Sequence, residues 1–140
     1  MQIMRTNANT ANKIIYPALS YKIVGIGYRV QNSLGRFCRE FQYARAFEEE
    51  LKNEGLTYQR EKYLPLQKDD KTIGKNWVDF VIEDKIAVDL KAKTFVDRND
   101  YYQMQRYLKL CNLKLGLIIN LQNKYLKPKR VLNSRYSQDS

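Results

Sequence analysis

Asn76-Trp77-Val78-Asp79-Phe80-Val81-Ile82, the break Glu83-Asp84-Lys85, and Ile86-Ala87-Val88-Asp89-Leu90-Lys91-Ala92 decide how this chain reads. Both runs are dense in β-branched and apolar residues and the connection is short, so they predict a β-hairpin. Side chains alternate between the two faces of a strand. Ile86, Val88 and Leu90 therefore share one face, and Asp89 and Lys91 share the other. Asp79 stands on the partner strand in a run that is otherwise apolar. Two carboxylates converging across a hairpin, with an ammonium beside them, can hold a hard divalent cation next to a phosphate. Such a cation lowers the pKa of a bound water and polarises a phosphoryl oxygen. Lys91 would stabilise developing negative charge or orient the water. The plain alternative is an exposed charged pair on a sheet edge, and the D-x-K spacing alone does not separate the two.

Outward from the hairpin, the chain divides into few elements. Residues 1–16 read as a mobile arm. Pro17 suits the first turn of a helix, and Leu19, Ile23, Ile26, Val30 and Leu34 follow at spacings of four, three, four and four, up to Gly35. A second helix is predicted from about Cys38 to Asn53, with Phe41, Ala44, Phe47 and Leu51 on its apolar stripe and Gly55 as its stop. Residues 57–66 read as extended up to Pro65, followed by a polar turn at Lys68-Asp69-Asp70-Lys71. A third helix is expected over 99–111, a buried strand at Leu115-Gly116-Leu117-Ile118-Ile119, an edge strand within Lys127–Asn133, and a disordered tail over 134–140. The order helix, helix, strand, strand, strand, helix, strand predicts a single α/β domain over 17–133, a small mixed sheet flanked by helices.

Composition narrows the chemistry. The 140 residues suit one hydrophobic core. There is no histidine and no CxxC pair; the two cysteines, Cys38 and Cys111, lie in unrelated contexts. Zinc fingers, Ser/His/Asp triads and Cys/His pairs are thereby excluded. Any metal must be held mainly by oxygen, which points to Mg²⁺ or Mn²⁺. No window approaches the roughly 18 apolar residues of a membrane helix, and Met1 to Lys13 lacks the apolar core of a signal peptide. A cytoplasmic location with reduced thiols is the expectation. The net charge is +10, and it is unevenly spread. Residues 1–39 hold six basic and no acidic side chains, residues 101–140 eight and one, and residues 40–100 eleven and fourteen. Two basic ends around a more acidic centre suit a polyanionic partner, nucleic acid above all. Tyr101 and Tyr102 are candidates for stacking on unpaired bases.

Several short motifs run in a recognisable order: Leu34-Gly35, Arg39-Glu40-Phe41-Gln42-Tyr43, Asp79-Phe80, Asp89-Leu90-Lys91, Gln103 with Tyr107-Leu108-Lys109, and Asn112-Leu113-Lys114-Leu115-Gly116. Asp79 followed ten residues later by Asp89-Leu90-Lys91 resembles the PD-(D/E)XK nuclease signature. The stretch from about Leu19 to Val131 resembles more closely the GxxExxY proteins, a small branch of that superfamily. Phe37 stands where the branch has its first glycine, Val78 where the superfamily name has proline, and Asp89 where the branch usually has glutamate. The resemblance implies a restriction-endonuclease-like core and a metal-dependent nuclease, with DNA as the expected substrate. It implies that Asp79 and Asp89 bind Mg²⁺ or Mn²⁺, that Lys91 acts on the water or the phosphate, and that Glu40 is a further metal or water ligand. Gln103 and Tyr107, four apart and so on one helical face, would touch a phosphate or fix Lys91. Arg106 and Lys109 would be general phosphate contacts.

Three readings follow. The first is a metal-dependent nuclease. The second is a nucleic-acid-binding domain that keeps the fold with little or no activity. The third is a small basic interaction domain that meets an acidic partner. The intact set Asp79, Asp89 and Lys91 favours the first, since a mere binder has no need of carboxylates facing a polyanion. So short a domain has little room for a separate recognition element, which suggests weakly specific or structure-directed binding and leaves room for a homodimer.

Overall fold

The computed structural model describes residues 15–64 and 75–134. The polar turn at 68–71, residues 1–14 of the expected arm and residues 135–140 of the expected tail lie outside them. Helix α1, Pro17–Leu34, opens on a proline, whose missing N–H costs nothing in the first turn. It closes at Gly35, where φ is 82° and the amide donates to Gln31 O at 2.7 Å. Left-handed backbone of this kind is readily supplied by glycine. Helix α2, Glu40–Asn53, begins where the Gln42 side chain accepts the Arg39 amide at 2.9 Å. Helix α3, Arg98–Cys111, starts with a reciprocal box. Asp97 Oδ1 accepts the Asp100 amide at 3.1 Å, and Asp100 Oδ2 accepts the Asp97 amide at 2.9 Å.

Among the described residues, five strands form one mixed sheet: β1 Tyr58–Tyr63, β2 Trp77–Ile82, β3 Ile86–Lys91, β4 Leu115–Asn120 and β5 Lys129–Leu132, in that spatial order. Neighbours are antiparallel except β3 and β4, which run parallel. A parallel pair needs a crossover, and α3 supplies it. The β2–β3 turn holds Glu83 and Asp84 at φ 56° and 53°. Left-handed backbone suits the twist of a hairpin. At Glu83 it is secured from outside, because Thr57 N and Oγ1 both donate to its carboxylate at 2.7 Å and its own amide donates to Thr57 O at 2.9 Å.

Helices α1 and α2 cover one face of the sheet, packing Ile23, Ile26, Val30, Phe47 and Leu51 on Phe80, Ile82, Ile86, Val88, Leu90 and Leu117. Helix α3 covers the other, with Met104, Tyr107 and Leu108 on Val81, Ala87, Ile118 and Val131. Any side chain at Gly116 would collide with Met104, so glycine there lets α3 approach β4. The fold is thus an α/β sandwich with a mixed sheet between helices. Ile15 and Tyr16, ahead of α1, pack against the first core.

One expected core position differs. Phe41 is 55% exposed, and Tyr43 is fully buried in its stead. With α2 starting at Glu40, Phe41 falls in the first turn, away from the sheet. Tyr43 turns inward, donating its hydroxyl to Gly35 O and accepting the Cys38 amide at 3.3 Å, which satisfies its polar end. Cys38 and Cys111 are free thiols. Among the described residues no helix is long and apolar enough to cross a membrane.

Candidate active site

The hairpin ladder runs from Ile82↔Ile86 through Phe80↔Val88 and stops there. The next pair in register would be Asp79 and Asp89. Asp79 Oδ2 instead accepts the Leu90 amide at 2.7 Å, so a side chain takes the place of the backbone bond. The β1 side is disturbed as well: Arg60 pairs with Phe80 and Lys62 with Val78, while Glu61 between them sits at φ 52°. Phe80 and Ile82 pack into the first core but Val78 into the second, so the alternation of β2 resets at Asp79. Strand β3, meanwhile, stays paired to β4 through Lys91↔Asn120. The two acid-bearing strands part company at one end of the sheet, and the carboxylates fill the gap.

A single ammonium joins them. Lys75 Nζ lies 3.3 Å from Asp79 Oδ1 and 2.7 Å from Asp89 Oδ1. The other oxygen of Asp89 meets Lys91 Nζ at 3.0 Å, and Lys91 lies 3.6 Å from Asp100 Oδ1. Asp100 in turn pairs with Lys93. Asp89, Lys91 and Asp100 are each 8% exposed. Buried charges persist only when paired, and alternation of sign along this chain supplies the pairing. Asn120 fastens the segment after β3 to the end of β4: its Nδ2 donates to Lys93 O at 2.8 Å, and its Oδ1 accepts the Lys93 amide at 3.2 Å.

The two aspartates are not equivalent. Burial, then the charge of Asp89, pushes the Asp79 carboxyl up to about 7, and Lys75 only partly offsets this. Burial alone would raise Asp89 too, but the ammonium groups of Lys75 and Lys91 outweigh it and hold Asp89 below the ordinary carboxylate range. Burial would lower Lys91, yet the surrounding Asp89, Asp100 and Glu40 keep its pKa raised, so it remains an ammonium. A Lys91 of this kind donates hydrogen bonds and positive charge.

Two Oδ1 atoms aimed at one cation suit a hard divalent ion. Mg²⁺ commonly takes one or two carboxylates and fills its remaining positions with water and phosphate oxygen. Among the described residues no three His, Cys, Asp or Glu side chains gather closely enough to cage an ion. Glu40 is exposed at the start of α2 and lines the same cleft, of about 280 Å³, without completing a three-carboxylate set.

The sequence-predicted residues thus separate into two groups. Asp79, Asp89, Lys91 and Glu40 come together. Gln103 is half-buried on α3, on the turn after Asp100. Tyr107 is buried and lines a different cavity, of about 230 Å³, with Lys62, Asp84 and Cys111; burial and the neighbouring thiol push its phenol up. Arg106 and Lys109 line a groove of about 560 Å³ along α3 with Tyr102, Gln105 and Leu110. Sequence reasoning missed Lys75 and Asp100. The Asp97-x-x-Asp100 capping pattern could have revealed the latter; Lys75, in a polar stretch ahead of β2, carried no such signal.

A mixed sheet whose parting strands present an aspartate pair, with a buried lysine two residues after the second, defines the PD-(D/E)XK type of nuclease core. The family described as the PD-(D/E)XK nuclease superfamily matches residues 17–131. The chain belongs to that superfamily. No curated protein and no solved structure matches the chain.

Proposed function

We propose that this protein is a metal-dependent nuclease that hydrolyses phosphodiester bonds in nucleic acid, DNA in the first instance. The observation that carries the reading is the convergence of Asp79 Oδ1 and Asp89 Oδ1 on one cation, with the Lys91 ammonium against the far side of Asp89. Asp79 and Asp89 would hold Mg²⁺ or Mn²⁺, which supplies water activation and polarisation of the phosphoryl oxygen. The bond from Leu90 N fixes the Asp79 carboxylate, leaving Oδ1 toward the cleft. Lys91 places a permanent positive charge beside the aspartates and stabilises charge that develops on the phosphate. Glu40, exposed on the cleft wall, orients water or adds a distant carboxylate. Arg106 and Lys109 belong to an outlying surface for the phosphate backbone, while Tyr107 is buried elsewhere on the same helix and serves packing. The motifs Arg39–Tyr43 and Asn112–Gly116 support placing the chain in the GxxExxY branch.

A nucleic-acid-binding domain without hydrolysis is the second reading. One observation favours it: Lys75 Nζ already occupies the space between the carboxylates. Cleavage of labelled single-stranded, duplex and branched substrates in Mg²⁺ or Mn²⁺, against EDTA, separates the two. Metal-dependent products support the nuclease. Binding without products on every substrate supports the dormant domain.

A further inference from the structure

We propose that the cleft lined by Asp79 and Lys91 takes an unpaired strand, its bases stacking on Phe41 and on the Tyr63–Trp77 pair, in preference to intact duplex. This rests on reading that cleft as the phosphodiester site. Phe41 and Trp77 both line the cleft, from α2 and β2 respectively. Tyr63, 58% exposed at the end of β1, lies against Trp77 with ring centroids 5.2 Å apart and planes 34° from parallel. Tyr63 and Trp77 also pair across the β1–β2 ladder, but Phe41 belongs to neither core. Helix α2 buries Tyr43, Ala44, Phe47 and Leu51 against the sheet and leaves Phe41 to solvent beside the acidic pair.

Cations interleave with the rings. Lys75 Nζ lies 5.3 Å from the Trp77 ring centre, and Arg60 lines the same cleft. Aromatic faces with basic groups between them form the pattern that tracks a single strand, phosphates on the cations and bases on the rings. In a duplex the base faces are already stacked on one another, so the rings would gain nothing from it. An unpaired base offers free π-faces whatever its identity. The cleft volume, about 280 Å³, falls just below the range of roughly 300–1,000 Å³ for small-ligand pockets. That is room for about one nucleotide unit inside the cleft. The rings would then select the substrate, and Asp79 and Asp89 would meet the phosphate of a strand already splayed.

Trp77 is the sole tryptophan of the chain, so its fluorescence reports on this wall alone. The full-length protein, in EDTA at low salt, is titrated with oligothymidylate and with a hairpin-closed duplex that has no unpaired ends. The single strand is expected to quench Trp77 and to bind about tenfold tighter than the duplex, which should leave the emission unchanged. Phe41→Ala and Tyr63→Ala, both at exposed positions, should each weaken single-strand binding about 5- to 100-fold and leave duplex binding and the far-ultraviolet circular dichroism unchanged. Equal or tighter duplex binding, binding to neither, or single-strand affinity indifferent to both substitutions would overturn the proposal. The last result would leave the rings to a protein partner. Failure of the nuclease reading looks different, as absence of metal-dependent products on all substrates with this preference in EDTA intact.

Discussion

The Asp79 carboxylate accepts the Leu90 amide at 2.7 Å at the point where the ladder between their two strands breaks. One oxygen therefore does structural work while the other faces the cleft. Asp79→Asn keeps an acceptor for that amide and removes a charge that burial disfavours, so its stability should stay within about 1 kcal/mol of wild type. Asp79→Ala leaves the Leu90 N–H unsatisfied and should cost about 1–3 kcal/mol. Urea denaturation of the three proteins measures the difference. Equal losses for Asn and Ala would mean that the bond contributes nothing.

The same carboxyl sets a pH dependence. Its folded-state pKa, about 7, lies above the ordinary 3.8. Between these values the folded state holds a proton that the unfolded chain has released. This contribution to stability is complete below about pH 4 and is lost as pH rises through 7. The chain has no histidine to mask the window. Metal-free wild type should lose stability from pH 5 to 7.5 in urea melts, and Asp79→Asn should flatten the slope. A wild-type profile as flat as that of the variant would contradict the raised pKa.

Lys75 stands where a divalent ion would draw the two Oδ1 atoms together. Removing its ammonium leaves Asp79 and Asp89 short of positive charge. Lys75→Met should be less stable than wild type in EDTA, and Mg²⁺ should raise its melting temperature by more than it raises that of wild type. A ligand that binds only the folded state stabilises according to its affinity. Paired thermal melts across a Mg²⁺ titration give the result. An equal response in both proteins would show that Lys75 does not compete for the site.

Much of this site was legible because strands have period two. Asp89 and Lys91 had to share a face, and Asp79 stood out as the one charge in an otherwise apolar run. The manner of their meeting was not legible, since it depends on a ladder that breaks, and propensity says nothing about where strands part. Phe41 and Tyr43 exchanged places because both border the stripe of Ala44, Phe47 and Leu51, and helical period does not choose between them; the partners that Gly35 O and the Cys38 amide give the Tyr43 hydroxyl depend on the turn between the helices. For Gln103 and Tyr107, helical spacing put both side chains on one stripe but could not say which cavity the stripe borders. Lys75 meets Asp79 from four residues away, but it reaches Asp89 only through tertiary structure.

Asp89 and Lys91 carry the chemistry proposed for this site, and the most direct test measures binding and cleavage together. Without metal the buried carboxylates repel a polyanion, so Asp89→Asn should keep or tighten binding in EDTA. It should also abolish products in Mg²⁺, because a ligand that activates the water is gone. Lys91→Ala should suppress products too, but weaken binding slightly, since a positive charge is lost. Opposite shifts in affinity for two inactive proteins, read by titration and gel assay on one labelled strand, are the predicted result. A wild type that cuts nucleic acid and an Asp89→Asn variant that cuts equally well would contradict the assignment of this site.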